Sequence, residues 1–159
     1  MNFIKETLQN IRLGNPQICS GFTVIPLIST TNSKKSNYST FSQALRIGTA
    51  RVNEISPSGR VSEFLFENNG KEPVLLLDGE ELIGGKQDRI INLTILAPAK
   101  ETVRIPVSCV EKHRWSNHVH PFSSSENLMP ASGRRDKSYS VSLNMRQHGA
   151  RASSQDEVW

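Results

Sequence analysis

Cysteine is scarce in this chain: 159 residues hold only Cys19 and Cys109, far apart and in dissimilar contexts. No disulfide framework can be read from such spacing, and two buried free thiols in a reducing cytoplasm are expected instead. Long apolar runs are missing as well. No stretch approaches the roughly 20 residues that cross a bilayer, and MNFIKETLQNIRLG at the N-terminus has polar residues throughout rather than an apolar signal core. The expected compartment is therefore the cytoplasm, with no membrane partner. Aromatic residues make up only 6% of the chain, and no Walker or dinucleotide spacing surrounds its one Gly-Gly pair.

What is present fits one soluble globular domain, with 36% hydrophobic and 21% charged residues. The net charge of +4 is unevenly placed. Residues 112–151 hold seven Lys or Arg against two acids and all four histidines, whereas the first 111 residues hold twelve basic against eleven acidic side chains. A basic, Ser-rich stretch can serve nucleic acid or an anionic ligand. Only Tyr139 interleaves with the charges of 132–151, so stacking platforms for a single strand are lacking and nucleic acid is disfavoured.

Along the chain, residues 1–13 predict a short amphipathic helix with Phe3, Ile4, Leu8, Ile11 and Leu13 on one side, stopped by Gly14-Asn15-Pro16. Residues 21–29 predict a strand that Pro26 confines to an edge or bulge. Thr40 is the expected N-cap of a helix reaching Ile47. Strands are then expected over 49–55 and 60–67, flanking a Ser56-Pro57-Ser58-Gly59 turn, and over 74–77, 89–96 and 102–110. The expected fold class is a β-dominated α+β domain, an antiparallel sandwich or partly closed barrel with short helices. Residues 1–116 are expected to form the β-rich core. Residues 117–159 read as a basic, loosely ordered extension that is cut short, because Ser154 and Glu157 carry capping-box spacing with no helix body behind them.

Chemistry concentrates in residues 74–115. A turn through Gly84-Gly85 would place Glu80 and Glu81 opposite Gln87 and Asp88, and pairing of the next two strands would bring Arg89 beside Ser108 or Cys109. The expected ligand-binding set is Glu80, Glu81, Gln87, Arg89, Glu111, Arg114 and Trp115. A one-residue slip would turn half of them away. Each has a plainer role: Arg89 as half of a structural ion pair, Trp115 as a core-closing ring, and Cys109 as a small core hydrophobe on the Val103-Ile105-Val107 face. Arg89 could equally hold a carboxylate or phosphate through two parallel bonds. Cys109, His113, His118 and His120 offer zinc-type ligands at a spacing that matches no standard finger, so no metal and no cofactor is expected.

The runs LDGEELIGGKQDR and NLTILAPAKETVRIPVSCVEKHRW, preceded by TFSQALRIGTARVNEISPSGRVSEFLFENNGKEPVLLLDGEEL, resemble the ARG and rhodanese-phosphatase-superfamily-associated protein domain, a prokaryotic family. The resemblance covers about residues 20–116, and SSQDEVW resembles a later block. Gly85, Asp88 and His113 depart from the family pattern, and Asp88 sets a negative charge beside Arg89. The resemblance implies, through the family's name, a setting in ADP-ribose or phosphate metabolism, and supplies no catalytic residue. The expected function is a binding module for a small polar or anionic ligand, nucleotide- or ADP-ribose-related. One alternative is a hydrolase using a carboxylate of the Glu80/Glu81–Arg89–Glu111 cluster, and another a non-catalytic interaction domain in which that cluster is structural.

Overall fold

The computed structural model describes residues 2–30, 37–56, 62–111, 120–155 and 158. Contacts divide the chain into two units, Met1–Ser36 and Asn37–Trp159.

The first unit holds helix α1 (Asn2–Gln9) and strands β1 (Ile11–Leu13), β2 (Gln17–Cys19), β3 (Phe22–Val24) and β4 (Leu27–Ser29). β2 and β3 form a hairpin, and β1 pairs antiparallel with β4. The helix expected over 1–13 stops at Gln9 because Ile11–Leu13 is drawn into that pairing. The strand expected over 21–29 is split at Pro26, which has no N–H to give to a ladder. Cys19 is exposed rather than buried, since a two-stranded ribbon has no second layer to cover it.

The second unit contains β5 (Ser39–Thr40), α2 (Phe41–Arg46), β6 (Ala50–Glu54), β7 (Glu63–Asn68), β8 (Val74–Leu76), β9 (Glu80–Gly85), β10 (Arg89–Ile91), β11 (Ile95–Ala97), β12 (Thr102–Cys109), β13 (His120–Leu128) and α3 (Ala131–His148). Six strands in the order β13-β9-β10-β12-β7-β6 make a nearly closed barrel, with β11-β8-β5 as a small second sheet. The expected β-dominated, partly closed barrel is what forms. Alternation along β6 and β7 puts Ala50, Val52, Phe64 and Phe66 inside. Thr40 caps α2 in a full capping box with Gln43, and Phe41 packs on Phe66 with ring centroids 5.9 Å apart.

Two expectations about strands 74–110 need correction. The run 89–96 is two strands in different sheets, broken at buried Asn92, whose Oδ1 accepts from Ser108 Oγ (2.7 Å) and whose Nδ2 donates to the Arg151 carbonyl (3.3 Å). Gly84 and Gly85 are not the turn but the end of β9, so Arg89 faces Leu82 and Ile90 faces Glu81. Both glycines have positive φ.

Residue 116, the expected boundary, lies outside the described residues, and β13 and α3 group with the strands before them. The stretch read as loosely ordered forms β13 and the 18-residue α3. Helical period is carried there by polar residues: Arg134, Lys137, Val141 and Asn144 share one face, with Lys137 and Val141 buried. Lys137 Nζ donates to the Asp78 carboxylate and to the carbonyls of Ile91 and Asn92 (3.2 Å each). Beyond α3, Ser153 Oγ bonds Ser108 Oγ (2.5 Å) and Gln155 Oε1 accepts from Cys109 N (3.2 Å), laying this segment along β12. Ser154 N donates to Ser140 Oγ (2.7 Å), and Glu157, its expected capping partner, lies outside the described residues.

Candidate functional site

Barrel closure decides which side chains meet. The register pairs Glu54 with Phe64, Phe64 with Ile105, and Arg89 with both Cys109 and Leu82. Paired residues point to the same face of a sheet, so Glu54, Phe64, Arg89 and Cys109 share the barrel interior at one end. Arg89 is 0% exposed. Its Nη1 donates to Gln87 Oε1 (2.8 Å) and to the Asp88 carbonyl (3.3 Å), and its guanidinium lies 5.6 Å from the Phe64 ring centroid.

Burial pulls the Arg89 pKa below the usual arginine range, opposed by the nearby acidic groups of Cys109, Glu54, Asp88 and Glu111. An arginine stays protonated under such a load. A buried cation in a mostly apolar interior therefore organises acidic groups around itself. Among the described residues, the buried side-chain atoms without a hydrogen-bond partner include Glu54 Oε2, Arg89 Nε and Arg89 Nη2. Buried polar atoms are rarely left so.

Of the expected site residues, Gln87, Arg89 and Glu111 converge. Gln87 Nε2 donates to the Glu111 carbonyl (3.1 Å), and Glu111 Oε2 accepts from Asp88 N (3.2 Å). Cys109 joins them as a buried free thiol, its Sγ 3.2 Å from Gln87 Oε1 and 3.1 Å from the Glu111 carbonyl oxygen, either of which can accept its one proton. Glu80 and Glu81 do not join. Glu80 closes the preceding turn, its Oε2 accepting from Leu77 N (2.7 Å), and Glu81 lies on the opposite face of β9 from Leu82. The expected turn at Gly84-Gly85 would have brought both to the site, but that pair ends β9 instead. Arg114, Trp115, His113 and His118 lie outside the described residues, and His120 is exposed at the start of β13.

Glu54 is the residue that sequence reasoning missed. Its signal was the alternation Ala50, Val52, Glu54 in ARVNE, which puts a carboxylate where the apolar face should continue.

Between β6 and β13 the barrel stays open, and a cleft of about 860 Å³ occupies the seam. Val52, Ile55 and Phe122 give it an apolar wall, and Glu54, Lys86 and His120 gather at one end. Phe122 reaches inward to stack on Phe64, with centroids 4.5 Å apart. That approach requires the glycines of β9: a Cβ on Gly84 would sit 2.6 Å from the Pro121 carbonyl oxygen, and one on Gly85 would overlap the Phe122 ring. The Gly-Gly pair thus shapes the cleft by admitting Phe122.

A model of the ARG and Rhodanese-Phosphatase-superfamily-associated Protein domain matches residues 10–159. The chain belongs to this family. The match runs from before β1 to beyond α3, so the buried cluster and the seam cleft both lie within the family domain. Among curated proteins and among solved structures, no match was found. The family description names associated proteins and no reaction.

Glu80 gives a test independent of any ligand. Burial raises its pKa from 4.5, with the Leu77 N–H bond opposing. A carboxyl with a raised folded pKa binds its proton more tightly in the folded state. Its contribution is present below pH 4.5 and is lost as pH rises through the folded value. Glu80→Gln, which keeps an acceptor for Leu77, is expected to flatten the stability–pH curve in that window and to melt no lower than wild type at pH 7. Unchanged curvature in denaturant titrations across the window would contradict this.

Proposed function

We propose that the barrel is a binding module for a small anionic ligand of nucleotide or ADP-ribose type, seated in the seam cleft between β6 and β13. The observation that carries the reading is the cleft itself. Its volume of about 860 Å³ is that of a small-molecule site, and an apolar wall with few convergent polar groups is the usual form of one. Membership of a family described by its ARG and phosphatase associations favours a phosphate-bearing ligand.

Hydrolysis is less well supported. Two facing carboxyls with raised pKa values would favour it, whereas the carboxyl raised here, Glu80, closes a turn and does not line the cleft.

Titration with AMP, ADP and ADP-ribose followed by thermal melting tests the reading. At one hundred times Kd a single-site ligand should add about 2.7 kcal/mol. The absence of any saturable stabilisation by all three at millimolar concentration would overturn it.

A further inference from the structure

The first unit, Met1–Ser36, has no interior of its own. None of its described side chains is buried, and eight large apolar ones stand exposed, Ile18 at 78% and Phe22 at 77% foremost. At roughly 100 Å² each they offer on the order of 800 Å², about what one side of a standard interface buries. So small a unit needs a disulfide, a metal or a partner to complete it. It holds one Cys, one Glu and no Asp or His, too few for an internal disulfide or a metal site. Residues 13–33 carry no charge, so nothing there selects an acidic or basic partner or opposes the approach of an identical surface.

The backbone names the partner. Among the described residues β2 and β3 pair only with each other. Ser20 and Gly21 both have positive φ, as a two-residue hairpin turn requires. Such a turn makes Cys19 and Phe22 a hydrogen-bonded pair, so Ile18 and Thr23, the next pair, turn their N–H and C=O groups outward. A lipid surface cannot satisfy those groups, whereas another strand can. Pro16 falls on the same edge as Ile18 and guards β2. Pro26 is out of phase with Thr23, and β3 has neither charge nor proline to guard it. We propose that the chain dimerises through the outer edge of β3, which pairs antiparallel with β3 of a second copy about a two-fold axis. Such pairing of a strand with its own copy is self-complementary. Cys19, Phe22 and Val24 share one face of the ribbon. The resulting β2-β3-β3-β2 sheet therefore has the four strands and apolar face that a lone ribbon lacks. This is independent of what the seam cleft binds.

Sedimentation velocity of the full chain across the micromolar range tests it, and wild type should pass from monomer to dimer. Thr23→Pro removes the outward N–H without touching the bonds between β2 and β3. By symmetry it deletes two hydrogen bonds at once, so it should weaken the dimer about tenfold or more. Val24→Lys, which sets like charges close to the axis, should do the same. Leu96→Lys, at an exposed apolar position of the second unit, should dimerise as wild type does. Amide exchange on wild type reads the same edge without a substitution: the Thr23 N–H should be protected at high concentration and open on dilution. A monomer at every concentration would overturn the proposal, as would flotation of that monomer with neutral lipid vesicles. A dimer that leaves Thr23 exchange unchanged, or that survives Thr23→Pro and Val24→Lys, would overturn it too.

Discussion

Lys137→Met should unfold the protein at markedly lower denaturant than wild type, with a loss of about 3–5 kcal/mol. The substitution keeps most of the apolar stem and deletes only the charge and its three donors. Asp78 then keeps Arg134 at 3.7 Å and Ser138 Oγ at 3.3 Å, but loses the partner that is 0% exposed. The carbonyls of Ile91 and Asn92 lose their lysine as well. Removing the buried member of an ion pair is the costly case, and a domain holds only about 5–15 kcal/mol in all. Urea unfolding of the single variants and of Lys137→Met with Asp78→Asn would check it. The double variant should be less destabilised than the sum of the singles, because the second change removes the carboxylate whose buried partner the first one deleted. A loss under about 1 kcal/mol for Lys137→Met, in a domain of ordinary stability, would show that α3 is not anchored by this lysine.

Gly85→Ala should be the most damaging change of one methyl group in the barrel. At φ 61° the backbone already disfavours a side chain, and the new Cβ would stand 2.6 Å from Phe122 Cε1. The ring must leave its place against Phe64, so the strain of an overpacked core, about 1–3 kcal/mol, adds to a lost aromatic contact of about 0.5–1.5 kcal/mol. The inner wall of the cleft goes with it. Stability by denaturant melt and ADP titration should therefore fall together in Gly85→Ala. Gly149→Ala, also at positive φ but with open space around its Cβ, should lower stability modestly and leave ADP affinity alone. Equal effects of the two on ADP affinity would contradict this account of Gly85.

Much of the architecture was legible beforehand because local chemistry specified it. Thr40 marked the N-cap of a helix, and the alternating apolar residues of 49–55 and 60–67 around a turn signal marked a hairpin. Arg89 could be placed beside Ser108 or Cys109 because the two strands that carry them alternate cleanly, and the register chose Cys109. The errors came where one local signal had two structural uses. Gly84-Gly85 reads as a turn, yet its freedom serves the close approach of β13. Asn92 sits inside an apolar run, and nothing local says that its side chain will break the strand to bond Ser108 and Arg151.

By itself the sequence determined that this is a β-dominated domain, where most of its strands begin, and which strand pair brings Arg89 to Cys109, since those follow from alternation and turn chemistry within short stretches. Tertiary structure alone decided that Glu54 and Arg89 share one interior and that the barrel stays open between β6 and β13. It also decided that a polar helix docks through Lys137. These depend on residues distant in the chain, such as Asp78 and Lys137 at 59 positions apart, where burial turns a charge from a surface feature into a constraint, and no local pattern encodes which distant partner will meet it.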